Sequence, residues 1–172
     1  MACSISHLVT QKPSRGHFLW LDVNFDKARR LGRLIPNVHL TGAKAHEELS
    51  EYIRGFDVGI VPYLWNTYTA TVVPTKINEY LAMGKPVVST NLPEVSNFNG
   101  KHGVIITSPN RPVEFVASIE RALTLPGGAS VVTRRQTVAA LNGWEERFER
   151  MSRLIELELR KKRGDSYGGK SK

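Results

Sequence analysis

The chain has 172 residues, 41% of them hydrophobic and 23% charged, a composition typical of a folded soluble protein and not of a disordered one. This length fits one domain with a single sizeable core. No apolar run approaches 18 residues and the N-terminus lacks an apolar secretory segment, so the sequence predicts neither a membrane span nor a signal peptide. The single cysteine, Cys3, excludes an internal disulfide and favours a reducing, cytoplasmic compartment.

The net charge of +8 has several explanations. An ordinary basic surface, a phosphate-bearing ligand and an anionic membrane surface all remain open. Nucleic acid is the weakest explanation, because basic residues concentrate only in the tail at 160–172 and no zinc or helix-turn-helix pattern accompanies them. No His/Cys cluster has the spacing of a metal site, so we expect no metal cofactor and no specific nucleic-acid partner.

Strand and helix patterns alternate along most of the chain, after a weakly patterned start at residues 4–10. Strands are predicted at 17–23, 38–41, 57–63, 86–90 and 103–107, and helices at 25–34, 45–54, 74–84, 112–123, 131–141 and 143–162. This alternation indicates an α/β, Rossmann-like parallel sheet with helices on both faces, followed by C-terminal helices. The expected boundaries are an irregular segment at 1–16, a domain at 17–160 and a basic disordered tail at 161–172.

The best-defined element is the helix that follows Pro74. Pro74 and Thr75 are typical of a helix start, where a Thr hydroxyl can cap a free N–H group. Gly84 predicts a left-handed end to the helix, and Pro86 prevents its continuation into the next strand. In such sheets ligands bind beyond the carboxyl ends of the strands. The candidate ligand-binding loops are therefore those at 42–46, 63–75, 90–96 and 108–111.

Residues 74–95, PTKINEYLAMGKPVVSTNLPEV, resemble the signature of the C-terminal donor-binding domain of GT-B glycosyltransferases, in particular the bacterial cell-surface polysaccharide or teichuronic-acid type. Three further stretches agree with this family in order and spacing: PNVHLTG at 36–42, ELSEYIRGFDVGIVPY at 48–63 and NGWEERF at 142–148. The resemblance covers residues 17–160. It implies an incomplete GT-B half that is truncated at its N-terminus.

The resemblance also implies which residues bind the donor. Glu79 matches a carboxylate that accepts hydrogen bonds from the ribose hydroxyls, for which two acceptor oxygens are well suited. Many relatives have a second Glu eight positions earlier, where this chain has Thr71, so the donor sugar is left in doubt. The other implied contacts are the diphosphate segment Val72, Val73, Thr75 and Lys76 and the base-binding loop Gly42, Ala43 and Lys44.

Each of these residues also has an ordinary structural explanation. Glu79 can be a surface carboxylate stabilised by the helix dipole, Lys76 a solvated lysine, and the loop at Gly42 a plain strand-to-helix turn. Trp65, Asn66 and Tyr68 either contact sugar or acceptor or merely cover the end of the sheet. No catalytic residue is assigned.

The resemblance implies the donor-binding half of a retaining glycosyltransferase, which would transfer a hexose from a UDP- or GDP-sugar substrate to a polysaccharide or a lipid-linked acceptor. The expected partners are the nucleotide sugar and an N-terminal glycosyltransferase domain on a separate chain, with peripheral contact to an anionic membrane as a further option. The expected location is cytoplasmic, or peripheral at the inner membrane face. The alternative is a non-catalytic nucleotide- or partner-binding module.

Two expectations concern packing. The family's central strand, between those matching 17–23 and 57–63, is missing here, and residues 4–10 are the only local replacement. The linker at 11–16 is too short for a parallel crossover, so a replacement strand must run antiparallel; otherwise the open edges favour aggregation or dimerisation. Trp144, Phe148 and Met151 share one helix face and are expected to pack back on the sheet.

Overall fold

The computed structural model describes residues 6–9, 17–20, 30, 33–42 and 44–167. Its strands are β1 (Ser6–Val9), β2 (His17–Trp20), β3 (Val38–Leu40), β4 (Gly59–Val61), β5 (Val87–Thr90) and β6 (Ile105–Ser108). Its helices are α1 (His46–Arg54), α2 (Thr75–Ala82), α3 (Pro93–His102), α4 (Pro112–Leu123), α5 (Ala129–Leu141) and α6 (Trp144–Tyr167), with a short 3-10 helix at Thr69–Thr71. The helix predicted at 25–34 lies largely outside the described residues.

The strands form two three-stranded groups in the orders β1-β2-β3 and β4-β5-β6. β2 and β3 are parallel, as are β4, β5 and β6. β1 pairs antiparallel with β2, with Ser6 opposite Trp20 and Val9 opposite His17, and it also lies beside β4. The expectation that residues 4–10 replace the central strand in antiparallel direction is therefore confirmed.

Successive residues of the β4-β5-β6 group point to opposite faces, as in any strand. Val61, Val87 and Ile105 belong to a core that also contains buried side chains of α1, α2, α3 and α5. Ile60 and Val88 belong to a second core, built with Ile119 and other residues of α4. Helices thus cover both faces of this parallel group, which explains why every residue of β4 and β5 is buried.

α2 begins and ends as its sequence predicts, with one difference at its start. Gly84 has φ +71°, the left-handed conformation that a glycine adopts without strain. The buried Arg135 of α5 donates a hydrogen bond of 3.0 Å to the Gly84 carbonyl, and burial lowers the pKa of this guanidinium. Pro74, not Thr75, occupies the N-cap position, and no side chain caps the helix. The expected Thr75 cap is therefore wrong, because Thr75 is already the first helical residue.

α3 was not predicted from the sequence. Its residues include Asn97, Asn99 and Gly100, which are poor helix formers. The helix is stabilised by tertiary contacts: Val95 is fully buried, and Asn99 accepts hydrogen bonds from the Val104 and Ile105 amides at 3.0 and 2.8 Å. The Asn99 amide group also donates to the Ile105 carbonyl at 2.8 Å, which ties the helix to β6.

The chain divides into two compact units, residues 1–139 and 140–172. The second unit consists of the end of α5 and the long helix α6, which continues to Tyr167 and so extends into the segment expected to be a disordered tail. Likewise, β1 lies within the segment expected to be irregular. Among the described residues, no helix is both long and apolar enough to cross a membrane.

Trp144, Phe148 and Met151 lie on α6 in the second unit, and their packing against the sheet of the first unit stays a prediction. Within α6 the Trp144 ring lies 6.0 Å from that of Phe148, and the Arg147 guanidinium lies 5.5 Å from the Trp144 ring centroid. The helical spacing was read correctly.

Candidate functional site

The candidate site lies on the connection from the carboxyl end of β4 to the start of α2, residues 62–75. This connection contains a turn centred on Asn66, whose Oδ1 accepts hydrogen bonds from the Tyr68 and Thr69 amides at 3.0 and 2.9 Å. The buried Thr69 hydroxyl donates to the Leu64 carbonyl at 2.7 Å. The Asn66 Oδ1 is thus already used to shape the loop, as Asn side chains commonly are in turns. The role of Thr69 was missed, although the Asn-x-x-Thr spacing signals such a turn.

The two aromatic residues of this loop face outward. Trp65 and Tyr68 are 61% and 72% exposed, so they do not cover the end of the sheet. The other half of the alternative, a contact to sugar or acceptor, remains a prediction. The Thr71 hydroxyl donates to the Tyr68 carbonyl at 3.0 Å, within the 3-10 helix that precedes α2.

The segment predicted to face the diphosphate runs extended into α2. Val72 has φ −126° and ψ 141°, and Val73 is partly buried against the core. Thr75 is exposed at the first turn of the helix, where no side chain caps the backbone amides. The first amides of a helix carry partial positive charge and have no carbonyl partner within the helix. This end of α2 is therefore chemically suited to an anion.

Lys76 and Glu79 form an ion pair one turn apart on α2. The Lys76 Nζ lies 2.8 Å from the Glu79 Oε2, and the two side chains are only 15% and 27% exposed. No acidic residue occupies the first turn of α2, so the helix-dipole explanation for Glu79 does not apply. Lys76 is not a solvated lysine either, because its ammonium group is paired with Glu79 and its side chain is largely covered. The sequence interpretation assigned both residues but missed their pairing, which the i, i+3 spacing signals.

The loop predicted to contact the nucleobase follows β3. Gly42 has φ +72°, and nothing lies within 4 Å of the position that a Cβ atom would occupy there. The Lys44 Nζ lies 5.1 Å from the centroid of the Tyr52 ring of α1, and its interaction with the Tyr52 side chain raises the pKa of Lys44. Ala43 lies outside the described residues. The structure thus pairs Lys76 with Glu79, whereas Lys44 is directed to Tyr52.

A mostly apolar cavity of about 610 Å³ lies at the carboxyl ends of β4, β5 and β6, against α4. Its lining includes Pro62, Leu64, Phe115, Val116 and Ile119. Lys76 and Glu79 do not line it, so the cavity and the ion pair are separate features of the same sheet edge. Within the part of the chain that the structure describes, no group of three or more His, Cys, Asp or Glu side chains is arranged to hold a metal ion.

The parallel sheet and the helices on both of its faces define a domain of the GT-B glycosyltransferase fold. Two solved structures share this architecture: sucrose-phosphate synthase from Thermosynechococcus elongatus (TM-score 0.65, 19% identity) and AviGT4, a glycosyltransferase involved in avilamycin A biosynthesis (TM-score 0.53, 14% identity). Each alignment covers 82% of this chain, and 37% and 43% of the respective neighbour. At these identities the likeness shows the fold alone.

Residues 21–124 match the family described as Glycosyl transferases group 1, and the chain belongs to that family. It is also 33% identical over 154 residues to TuaH of Bacillus subtilis (strain 168), a protein named as a teichuronic acid biosynthesis glycosyltransferase. That alignment covers 86% of this chain but 38% of TuaH, so the chain spans about two fifths of this relative's length. The resemblance drawn from residues 74–95 is confirmed at the level of family and fold.

Proposed function

We propose that this chain is the donor-binding half of a retaining glycosyltransferase that uses a UDP- or GDP-hexose. The Lys76–Glu79 pair at the uncapped start of α2 carries the proposal. It combines a cation, a helix start without a side-chain cap and a carboxylate within one helical turn. A nucleoside diphosphate requires this combination, because its phosphates are anionic and its ribose presents a vicinal diol of hydrogen-bond donors.

In this proposal Lys76 and the first amides of α2 bind the diphosphate, and Glu79 accepts hydrogen bonds from the ribose hydroxyls. The Lys76–Glu79 bond of the free protein holds both side chains near these positions before the donor arrives. Val72, Val73 and Thr75 supply backbone amides beside the phosphates, and Thr71 lies where the donor sugar attaches. Gly42, Ala43 and Lys44 border the base, where the positive φ of Gly42 permits close approach of the backbone.

The contribution to catalysis is positioning and charge stabilisation. The bond between the anomeric carbon and a diphosphate oxygen breaks while the acceptor hydroxyl oxygen bonds to that carbon. Negative charge develops on the leaving diphosphate, and one of its oxygens takes up the proton of the acceptor hydroxyl. A lysine and helix amides in fixed positions stabilise that charge without covalent chemistry. No metal cofactor is required by this arrangement, and the nucleotide sugar is a substrate.

The chain spans 38% of TuaH. We propose that an N-terminal glycosyltransferase domain contributes the acceptor contacts and completes the enzyme. The acceptor class proposed is a cell-surface polysaccharide or its lipid-linked precursor, at the cytoplasmic side of an anionic membrane. A non-catalytic nucleotide-binding module is the second candidate, and adding an N-terminal half distinguishes the two: turnover supports the enzyme, and binding without turnover supports the module.

Glu79→Gln is expected to weaken UDP and GDP binding while leaving the fold intact. The substitution preserves the size of the side chain but removes the charged acceptor, and hydrogen bonds to charged groups contribute about 1.5–3 kcal/mol. Titration calorimetry of both proteins with each nucleotide measures the loss. Thermal unfolding of the same samples verifies that the variant remains folded.

Glu114→Gln is the matched control. Glu114, in the first turn of α4, forms an ion pair of the same i, i+3 type with the N-cap residue Arg111, at 3.0 Å. We expect this variant to bind both nucleotides as the wild-type protein does. Equal affinities for the wild-type and Glu79→Gln proteins would remove Glu79 from the proposed site and leave the Lys76–Glu79 pair as a structural feature of α2.

A further inference from the structure

Two hydrogen bonds attach α2 to α5, one near each end of α2. The Asn78 Nδ2 donates to the Ala139 carbonyl at 3.1 Å, and the Arg135 guanidinium donates to the Gly84 carbonyl at 3.0 Å. The two helices also pack closely, because a Cβ atom at Gly84 would lie 2.6 Å from the Cγ1 atom of Val132. These contacts occur in opposite order along α2 and α5, and all of them lie within the first unit.

Both side chains that form these links carry polar groups that the interior does not satisfy. The Asn78 Oδ1 is the one side-chain oxygen or nitrogen of the described residues that is buried without a hydrogen-bond partner. Arg135 is 6% exposed, and no described carboxylate forms an ion pair with it. A buried polar atom without a partner and a buried charge without a counter-charge both cost stability. Stability alone therefore does not account for this pair of residues between α2 and α5.

Directional links determine what apolar packing leaves free. The Tyr80 and Leu81 side chains hold α2 against the core, but burial of apolar surface has no preferred direction. A hydrogen bond weakens steeply when its angle changes, so it resists rotation and sliding of the helix. Asn78 immediately precedes Glu79, whose carboxylate pairs with Lys76. Any rotation of α2 about its axis thus moves both members of the ion pair.

We propose that Asn78 and Arg135 are positioning residues for the nucleotide site on α2. Together they fix the rotation of α2 and its position along its axis, and so determine where the Lys76–Glu79 pair meets the donor. Neither side chain touches the nucleotide, and each acts through the ion pair. The inference rests on the proposed function and adds to it the residues outside the site that set the geometry of the site.

Titration calorimetry of the full chain with UDP and with GDP tests the proposal. Asn78→Leu removes one link with little change in side-chain size, and Arg135→Met removes the other while retaining an apolar stem. Each variant is expected to raise the dissociation constants at least about tenfold, within the roughly hundredfold loss that a 1 Å displacement can cause. The two links are removed separately, so that a variant that does not fold leaves the other as the test. Thermal unfolding verifies the fold of each sample.

Val138→Ala is the matched control on the same helix. Val138 is 7% exposed and belongs to the same core as the buried side chains of α2. The substitution therefore loosens apolar packing beside α2 but leaves both polar links in place. We expect a lower melting temperature, because a cavity is created, and wild-type dissociation constants for both nucleotides.

A double variant separates a positioning role from a merely structural one. If Asn78 acts through Glu79, its substitution has less left to disturb once the Glu79 carboxylate is gone. The loss of affinity in Asn78→Leu/Glu79→Gln is therefore expected to be smaller than the product of the two single losses. A residue that only stabilises the fold would give independent losses that multiply.

Four results are decisive against the inference. Losses that multiply in the double variant would overturn it, and so would equal weakening of binding by Asn78→Leu and Val138→Ala. Wild-type affinity in both Asn78→Leu and Arg135→Met would overturn this inference alone and leave the donor site in place. A wild-type chain that binds neither UDP nor GDP would overturn the proposed function and this inference with it.

Discussion

Removing residues 1–10 is expected to abolish the cooperative unfolding transition of the first unit. β1 pairs with β2 on one side and lies beside β4 on the other, so its loss separates the two strand groups and exposes two strand edges. Exposed edges present unpaired amides and carbonyls to other chains, so the truncated protein is expected to aggregate. Thermal unfolding and size-exclusion chromatography at matched concentrations measure both effects.

Removing residues 1–4 is the control for this truncation, because it retains all of Ser6–Val9. That shorter truncation is expected to unfold like the wild-type chain. Hydrogen exchange of the wild-type protein gives an independent measurement, in which amides of β1 that bond to β2 exchange slowly. A chain without residues 1–10 that melts cooperatively at the wild-type temperature would show that β2 and β4 do not depend on the strand between them.

Gly59→Ala is expected to destabilise the first unit by about 1–3 kcal/mol or more, as overpacking of a buried site does. A Cβ atom at Gly59 would lie 2.3 Å from Cδ2 and 2.5 Å from Cγ of Tyr80. The Tyr80 side chain is fully buried on α2 and has an edge-to-face contact with Phe56, at a centroid distance of 6.3 Å, so it has no free space to enter. Chemical denaturation of wild-type and variant proteins measures the loss.

Gly100→Ala is the matched control, since the same atom is added in open space. Nothing lies within 4 Å of a Cβ atom at Gly100, which occupies α3. Alanine is favoured over glycine in a helix by about 0.5–1 kcal/mol, so this variant is expected to be as stable as the wild type or more stable. If Gly59→Ala is tolerated equally well, Tyr80 is free to move, contrary to its packing in the structure.

Since Tyr80 adjoins Glu79 on α2, we also expect Gly59→Ala to weaken nucleotide binding.

Elements defined by residues close together in sequence were predictable. Pro74 and Gly84 mark the ends of α2, and the apolar strands at β4 and β5 were identified, because Pro, Gly and periodic apolar residues act through local backbone geometry. The family, the α/β class and the antiparallel direction of β1 followed from residues 74–95 and from the length of the 11–16 linker. Both arguments depend only on the order of residues along the chain.

The tertiary structure decided the remaining features, for which the local signal is weak or ambiguous. α3 forms despite Asn97 and Gly100 because Val95 is buried and Asn99 bonds to the chain that enters β6. The weak apolar alternation at residues 4–10 does not show which strand β1 pairs with. The folded structure does, because it places β1 between β2 and β4.

In the candidate site and in α6, too, the sequence predicts some features and the tertiary structure decides the others. The sequence by itself singled out Lys76 and Glu79, and the folded helix showed that each is the partner of the other. It also placed Trp144 and Phe148 on one helix face, and the structure shows their rings 6.0 Å apart within α6. Helical periodicity determines which side chains share a face, but burial depends on what packs against that face, and this is decided by parts of the molecule distant in sequence.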